Sequence, residues 1–245
     1  QHPAGQQTPE VDSLAKEGLR FETCWATPMC MPTRALLVSG KYAYQTGQYG
    51  NWLKGAEENF ASLHKPISKT LKENGYRTGI SGKWHLPGSV GQPEYGWDES
   101  SMLGGYIGKP ETDIVWDGPW FKWGDCATYF HDKAIIGKNN QKYPSLHWNG
   151  CVIENGKLLH SDENTYAPDL NQAFALDFIR RNKHNPFYLY YPCVIPHMPW
   201  MRIPGGKPGM SAQVTQAEIY LKQLVETLKA EELYENTAPG VSPWV

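Results

Sequence analysis

No apolar run in these 245 residues approaches the ~20 residues that a membrane-spanning helix needs. Neither sign of charge dominates. The 23 Lys and Arg residues against 25 Asp and Glu leave a net charge of −2, so the basic footprint of a nucleic-acid surface is missing. Cysteine occurs five times, at positions 24, 30, 126, 151 and 193, with no C-x-x-C and no close Cys/His cluster. That excludes the ligand spacing of a structural zinc site. The odd count fits one functional thiol beside four others and assigns no disulfide pairing. No signal peptide is visible, because the chain opens on Gln1-His2-Pro3-Ala4-Gly5-Gln6-Gln7 rather than on a Met and an apolar stretch. The N-terminus reads as processed, trimmed or that of a fragment.

What is present is an ordinary globular balance, 40% hydrophobic and 20% charged, over a length that makes one large domain or two small ones. Aromatic residues are abundant, with 10 Trp and 14 Tyr. Several fall in a Pro/Gly-punctuated stretch, Trp116-Asp117-Gly118-Pro119-Trp120-Phe121-Lys122-Trp123. Loop Trp residues give flat apolar faces to ligands such as sugar rings. They serve equally to pin long loops to the body, and the composition leaves both open.

Periodicity gives the elements. Thr8 as N-cap, Pro9 in the first turn and Val11, Leu14 and Ala15 on one face predict a helix running to Gly18. Residues 19–25 read as extended. In Cys30-Met31-Pro32-Thr33-Arg34-Ala35-Leu36-Leu37-Val38-Ser39-Gly40, Pro fits a first turn and Gly a position just past a helix end. A short helix is expected over 32–39, with Cys30 at its entrance and N–H groups open to an anion. A helix over 67–74 stops at Gly75, and a strand over 76–81 runs into Gly82-Lys83-Trp84-His85-Leu86-Pro87-Gly88. Residues 88–165 read as a loop-rich insertion, with a weak strand at 150–153 and an Asn155-Gly156 turn. A helix is expected over 170–181. The run at 187–191 suits a strand buried on both faces. Thr215-x-x-Glu218 reads as a capping box opening a helix with Leu221, Leu224, Val225 and Leu228. This alternation of helix and strand predicts an α/β fold with a mostly parallel sheet.

In open α/β sheets, ligands bind beyond the carboxyl ends of the strands. Lys83 and His85 follow one expected strand and His197 another, while Cys30 and Arg34 lie between an extended segment and a helix. Together they form one nucleophile, two fixed cations and two groups that move protons near neutral pH. That inventory suits cleavage of an anionic ester. Singly, each has a plainer explanation: a thiol before a core helix, or a solvated loop histidine.

Cys30-Met31-Pro32-Thr33-Arg34 followed by Ser39-Gly40 resembles the C-x-P-S/T-R motif of the formylglycine-dependent sulfatases of the alkaline-phosphatase superfamily. The helix from Thr8 resembles that family's upstream helix. Gly75-Tyr76-Arg77-Thr78 with Gly82-Lys83-Trp84-His85-Leu86 is similar to its second signature. Tyr95-Gly96-Trp97-Asp98, Pro186-Phe187-Tyr188-Leu189 and Pro196-His197 follow in family order, over residues 8–235. The resemblance implies an alkaline-phosphatase-like three-layer sandwich, with an incomplete, mostly parallel sheet flanked by helices. Residues 1–245 would be a partial catalytic domain.

The resemblance also implies a mechanism. A formylglycine-generating enzyme oxidises the cysteine to an aldehyde, which hydrates. One hydroxyl attacks sulfur and the second expels sulfate. By position, Cys30 is the nucleophile precursor and Arg34 holds the hydroxyl region. Lys83 neutralises a sulfate oxygen, His85 takes the diol proton, and His197 contacts the leaving side and protonates the departing alcohol. A divalent cation, commonly calcium, is implied as well, with Cys30 as formylglycine among its ligands. The family's Asp-Asp after a first strand and Asp-Asn after the last long helix have no counterpart here. The chain is therefore expected to be a fragment of a longer sulfatase, with a degenerate homologue as the alternative. The implied substrate is a sulfated carbohydrate or aryl sulfate ester, and the implied location is periplasmic or secreted. The alternatives are a phosphonate or phosphodiester hydrolase of the same superfamily and an inactive binder of sulfated glycans.

Overall fold

The computed structural model describes residues 5–51, 60–86, 91, 93–103, 147–148, 152–159, 164–197 and 200–242. The Trp-rich stretch 116–123 and the cysteines at 126 and 151 lie outside these residues. The described sheet has five strands: β1 (Arg77–Gly82), β2 (Glu99–Leu103), β3 (Val152–Glu154), β4 (Lys157–Leu159) and β5 (Phe187–Tyr190), in the order β4-β3-β2-β1-β5. β1 pairs in parallel with β2 on one side and β5 on the other, with Ile80 opposite both Ser100 and Tyr190. β3 and β4 add an antiparallel hairpin at the β2 edge. Its turn is the expected Asn155-Gly156, at φ 49° and 80°, the left-handed pair that a two-residue hairpin loop requires.

Seven helices flank the described sheet: α1 (Pro9–Glu17), α2 (Cys30–Ser39), α3 (Ala43–Thr46), α4 (Phe60–Leu63), α5 (Ile67–Glu73), α6 (Ala167–Arg181) and α7 (Met210–Ala230). Alternation along β1 separates the layers. A Cβ on Gly79 would stand 2.7 Å from the Phe178 ring of α6, and Ser81 Oγ donates to the Asn171 carbonyl of α6 at 2.8 Å. Ile80, between them in sequence, points the other way into a core with Ala35 and Val38 of α2, Phe60 of α4 and Trp84. Fully burying a side chain such as Ile80 or Phe178 contributes about 1.5–3 kcal/mol. α7 packs outside α6 and α1 outside α7. No helix among the described residues is long and apolar enough to cross a membrane.

Several expectations are corrected here. The residues of β5 are all partly exposed rather than buried on both faces. β5 is the last strand of the described sheet, so the side of each residue toward its outer edge stays open. α6 starts at Ala167, with Pro168 in its first turn, three residues ahead of the apolar stripe. Thr215 lies inside α7, where its hydroxyl donates to the Ser211 carbonyl at 3.1 Å, so there is no capping box. Glu218 instead reaches across to α1 and accepts the Glu10 N–H at 2.8 Å. It does the work expected of Thr8, whose side chain makes no capping bond.

Candidate active site

α2 opens at Cys30, two residues earlier than its proline implies, with Met29 extended ahead of it. Gly40 closes it at φ 68°, its N–H donating to the Leu36 carbonyl at 2.7 Å. Cys30 and Arg34 are one turn apart and share a helix face. The first-turn N–H groups were expected to face an anion. One of them is already used: Met31 N–H donates to Asn51 Oδ1 at 3.0 Å.

The site's other side chains come from the carboxyl ends of two parallel strands. At Gly82 the backbone turns through φ 119°, and a Cβ there would lie 2.4 Å from the Pro192 carbonyl oxygen. Only glycine lets the ends of β1 and β5 stay this close. The next residue, Lys83, then donates its N–H to Pro192 at 2.9 Å. His85 is left-handed at φ 54°, a conformation that costs a non-glycine residue about 1–3 kcal/mol and concentrates at functional sites. Arg34, 1% exposed, sits beneath this turn. Its Nη1 donates to the carbonyls of Lys83 and Trp84, so a buried cation fixes the loop that carries the other groups.

The loops converge on one atom. Lys83 Nζ lies 3.4 Å from Cys30 Sγ, and both His85 and His197 hydrogen-bond the Cys30 side chain. The thiol is pulled from 9.0 down to about 4. His197 is the largest cause and His85 the next, and the Lys83 charge helps, all against the opposing effect of burial. Lys83 is itself pushed down to about 8, chiefly by burial and then by the Arg34 charge, which together outweigh its attraction to Cys30. His85 is lowered, again mainly by burial. The five residues singled out from sequence therefore meet, four at the sulfur and Arg34 behind them. The arrangement offers an anionic centre several donors and one histidine kept neutral.

His147 was not anticipated. It is 1% exposed and its pKa is driven down to about 3, first by burial and then by the neighbouring charge of His197. Its carbonyl accepts the Ala167 N–H at 2.6 Å, and its ring meets Tyr166 edge-on at 5.8 Å. It lies in a stretch without periodicity, so nothing local marks it. The thiols of Cys24 and Cys193 are free, like that of Cys30. Among the described residues, no group of three or more His, Cys, Asp or Glu side chains is placed to hold a metal ion. The groups on Cys30 are cations and imidazoles, which do not make an oxygen cradle for calcium.

Residues 2–238 match the protein-family model described as Sulfatase. The chain is 29% identical over 200 residues to the N-acetylglucosamine-6-O-sulfatase of Bacteroides thetaiotaomicron, covering 81% of this chain and 28% of that protein. It is 30% identical over 198 residues to the uncharacterized sulfatase YidJ of Escherichia coli, covering 79% and 34%. Among solved structures, Ps i-CgsB aligns with a TM-score of 0.67 and 27% identity over 94% of this chain and 51% of that one. BT4656 in complex with its substrate D-Glucosamine-2-N, 6-O-disulfate aligns at 0.53 and 27% identity, over 81% and 31%. This chain thus spans between 28% and 51% of the length of these relatives. The sheet and its flanking helices are those of the alkaline-phosphatase-like fold. The family match extends over nearly all of the sequence that builds this site, and the chain belongs to the sulfatase family.

Proposed function

We propose that the whole protein hydrolyses sulfate monoesters of carbohydrates, with position 30 as its nucleophile. The observation that carries this reading is the convergence of Lys83, His85 and His197 on Cys30 Sγ. A formylglycine at this position supplies a hydrated-aldehyde oxygen as nucleophile toward sulfur, which no encoded side chain offers. The residues fit that group. Cys30 is partly exposed at the head of a helix, and its sulfur stands where the modified oxygens would sit, within reach of three donors.

Lys83, largely protonated at neutral pH, neutralises a sulfate oxygen. Arg34 adds a second buried charge and keeps Lys83 and His85 in place through their shared loop. His85, held neutral by burial, accepts a proton from the hydroxyl that expels sulfate. His197 gives a proton to the departing alcohol. The calcium implied by the resemblance finds no fitting cradle among the described residues. A sulfated carbohydrate as substrate is favoured by the N-acetylglucosamine-6-O-sulfatase relative and by the sulfated-sugar complex of BT4656.

Mass spectrometry of the Cys30 peptide, with sulfate release from N-acetylglucosamine 6-sulfate, tests the proposal. A formylglycine at position 30 and loss of turnover in Cys30→Ala are expected. An unmodified thiol from a host with a working formylglycine-generating enzyme overturns the catalytic reading. Preferential turnover of a phosphodiester overturns the choice of ester.

A further inference from the structure

His197 approaches Cys30 from the segment between β5 and α7, and one side chain of α7 spans that segment. Gln213 is 0% exposed. A buried amide left unpaired is costly, and both functions of this amide are directed at the same segment. Its Oε1 accepts the His197 N–H at 3.2 Å, and its Nε2 donates to the Met201 carbonyl at 3.2 Å. The helix beneath it is held in turn, because Gln172 of α6 donates to the Tyr220 carbonyl of α7 at 3.0 Å. Met201 is buried against Trp148 and Tyr166, and Trp148 Nε1 donates to the Arg202 carbonyl at 2.6 Å. A continuous path therefore runs from the α6–α7 pair through one amide to the backbone of His197, and from His197 to Cys30.

We propose that Gln213 is the positioning residue for His197, setting the distance at which His197 meets the departing alcohol. This rests on the reading of His197 as the leaving-group acid. Gln213 does not touch position 30 and acts only through its neighbour. A misplacement of the order of 1 Å in such a group costs up to ~100-fold in rate, and the loss depends on the substrate. A sugar alkoxide needs a proton in order to leave, whereas an activated phenolate does not.

The test uses the whole protein and the variants Gln213→Met, Gln213→Glu and His197→Ala, each on N-acetylglucosamine 6-sulfate and on an activated aryl sulfate. Gln213→Met keeps the volume and removes both hydrogen bonds. It is expected to lower kcat on the sugar sulfate about 10–100-fold, but that on the aryl sulfate by less than about 3-fold, mirroring His197→Ala. Gln213→Glu keeps the acceptor for His197 and is expected to recover most of the loss; Gln213→Leu, which also removes both hydrogen bonds, carries the test if Gln213→Met does not fold. Equal losses on both substrates overturn the inference. A second measurement needs no turnover: the alkylation rate of the Cys30 thiol in unmodified protein. Gln213→Met should add nothing further once His197 is alanine, because coupled residues are non-additive; additive effects overturn the proposal. If His197→Ala shows no dependence on the leaving group, the catalytic reading of His197 falls, and the alkylation cycle alone decides whether Gln213 acts through it.

Discussion

In unmodified protein, the Cys30 thiol should be ionised at pH values where ordinary thiols are not. It is drawn down to about 4 with His197 as the largest cause. A hydrogen bond to a charged group is worth about 1.5–3 kcal/mol, and about 1.4 kcal/mol moves a titration by one pH unit. His197→Ala should therefore raise the midpoint by about one to two pH units, toward the lower end because Cys30 is partly exposed and water screens what is lost. His85→Ala should have a smaller effect and Lys83→Met a smaller one still, following the order of their influence on the thiol. The assay is the rate of Cys30 alkylation by iodoacetamide against pH, read on the Cys30 peptide by mass spectrometry. Wild-type reactivity should be flat from about pH 6 to 8, where a thiol of ordinary pKa still gains about tenfold per pH unit. A wild-type rate that climbs through this range refutes the electrostatic account, as does a His197→Ala midpoint equal to that of wild type. The linkage sign follows. Folded Cys30 binds fewer protons than the unfolded chain between about 4 and 9.0. Its contribution to stability is therefore full above the ordinary thiol range and lost as pH falls through about 4.

Lys83 titrates at about 8, so the rate on a sulfate ester should decline as pH rises through that value, and Lys83→Arg should carry its residual activity to higher pH. Gly82→Ala would meet the Pro192 oxygen at 2.4 Å from a backbone at φ 119°. It should cost about 1–3 kcal/mol in urea denaturation and raise the pH midpoint of Cys30 alkylation part of the way toward that of an ordinary thiol by displacing Lys83 and His85; an unchanged protein would refute the close approach of the two strand ends. Phe178→Ala, emptying the site beneath Gly79, should lower stability by about 3–5 kcal/mol. Glu218→Ala removes the acceptor for the first N–H group of α1 and should cost about 1 kcal/mol by thermal denaturation.

The candidate site residues were more legible than the fold around them. Lys83 and His85 follow directly on β1 (Arg77–Gly82) and His197 lies in the segment after β5 (Phe187–Tyr190), where Gly and Pro mark the change from sheet to loop, and that local punctuation survives tertiary packing. β2 is different. Glu99-Ser100-Ser101-Met102-Leu103 carries too few β-branched or aromatic residues to read as a strand, and it is held in place by its register with β1 and by Asn171 Nδ2 donating to the Ser101 carbonyl at 2.9 Å. That partner is 70 residues away, beyond any window in which a pattern is read.

Glu218 and Gln213 show the same limit on α7. The Thr215-x-x-Glu218 spacing is the right pattern for a helix start, yet α7 already runs from Met210, and the carboxylate serves a different helix. Gln213 occupies the first turn of α7, where an exposed polar residue is the ordinary expectation, and tertiary packing makes it a buried clamp. The charges themselves were in view, but their strengths were not. Lys83 counts as one full cation in the composition. Only its burial beside Arg34 turns it into a group that titrates at about 8, within reach of the pH at which its lysine charge would be used. A site of this kind can thus be located from strand ends, whereas its acid–base behaviour depends on which neighbours packing puts out of water.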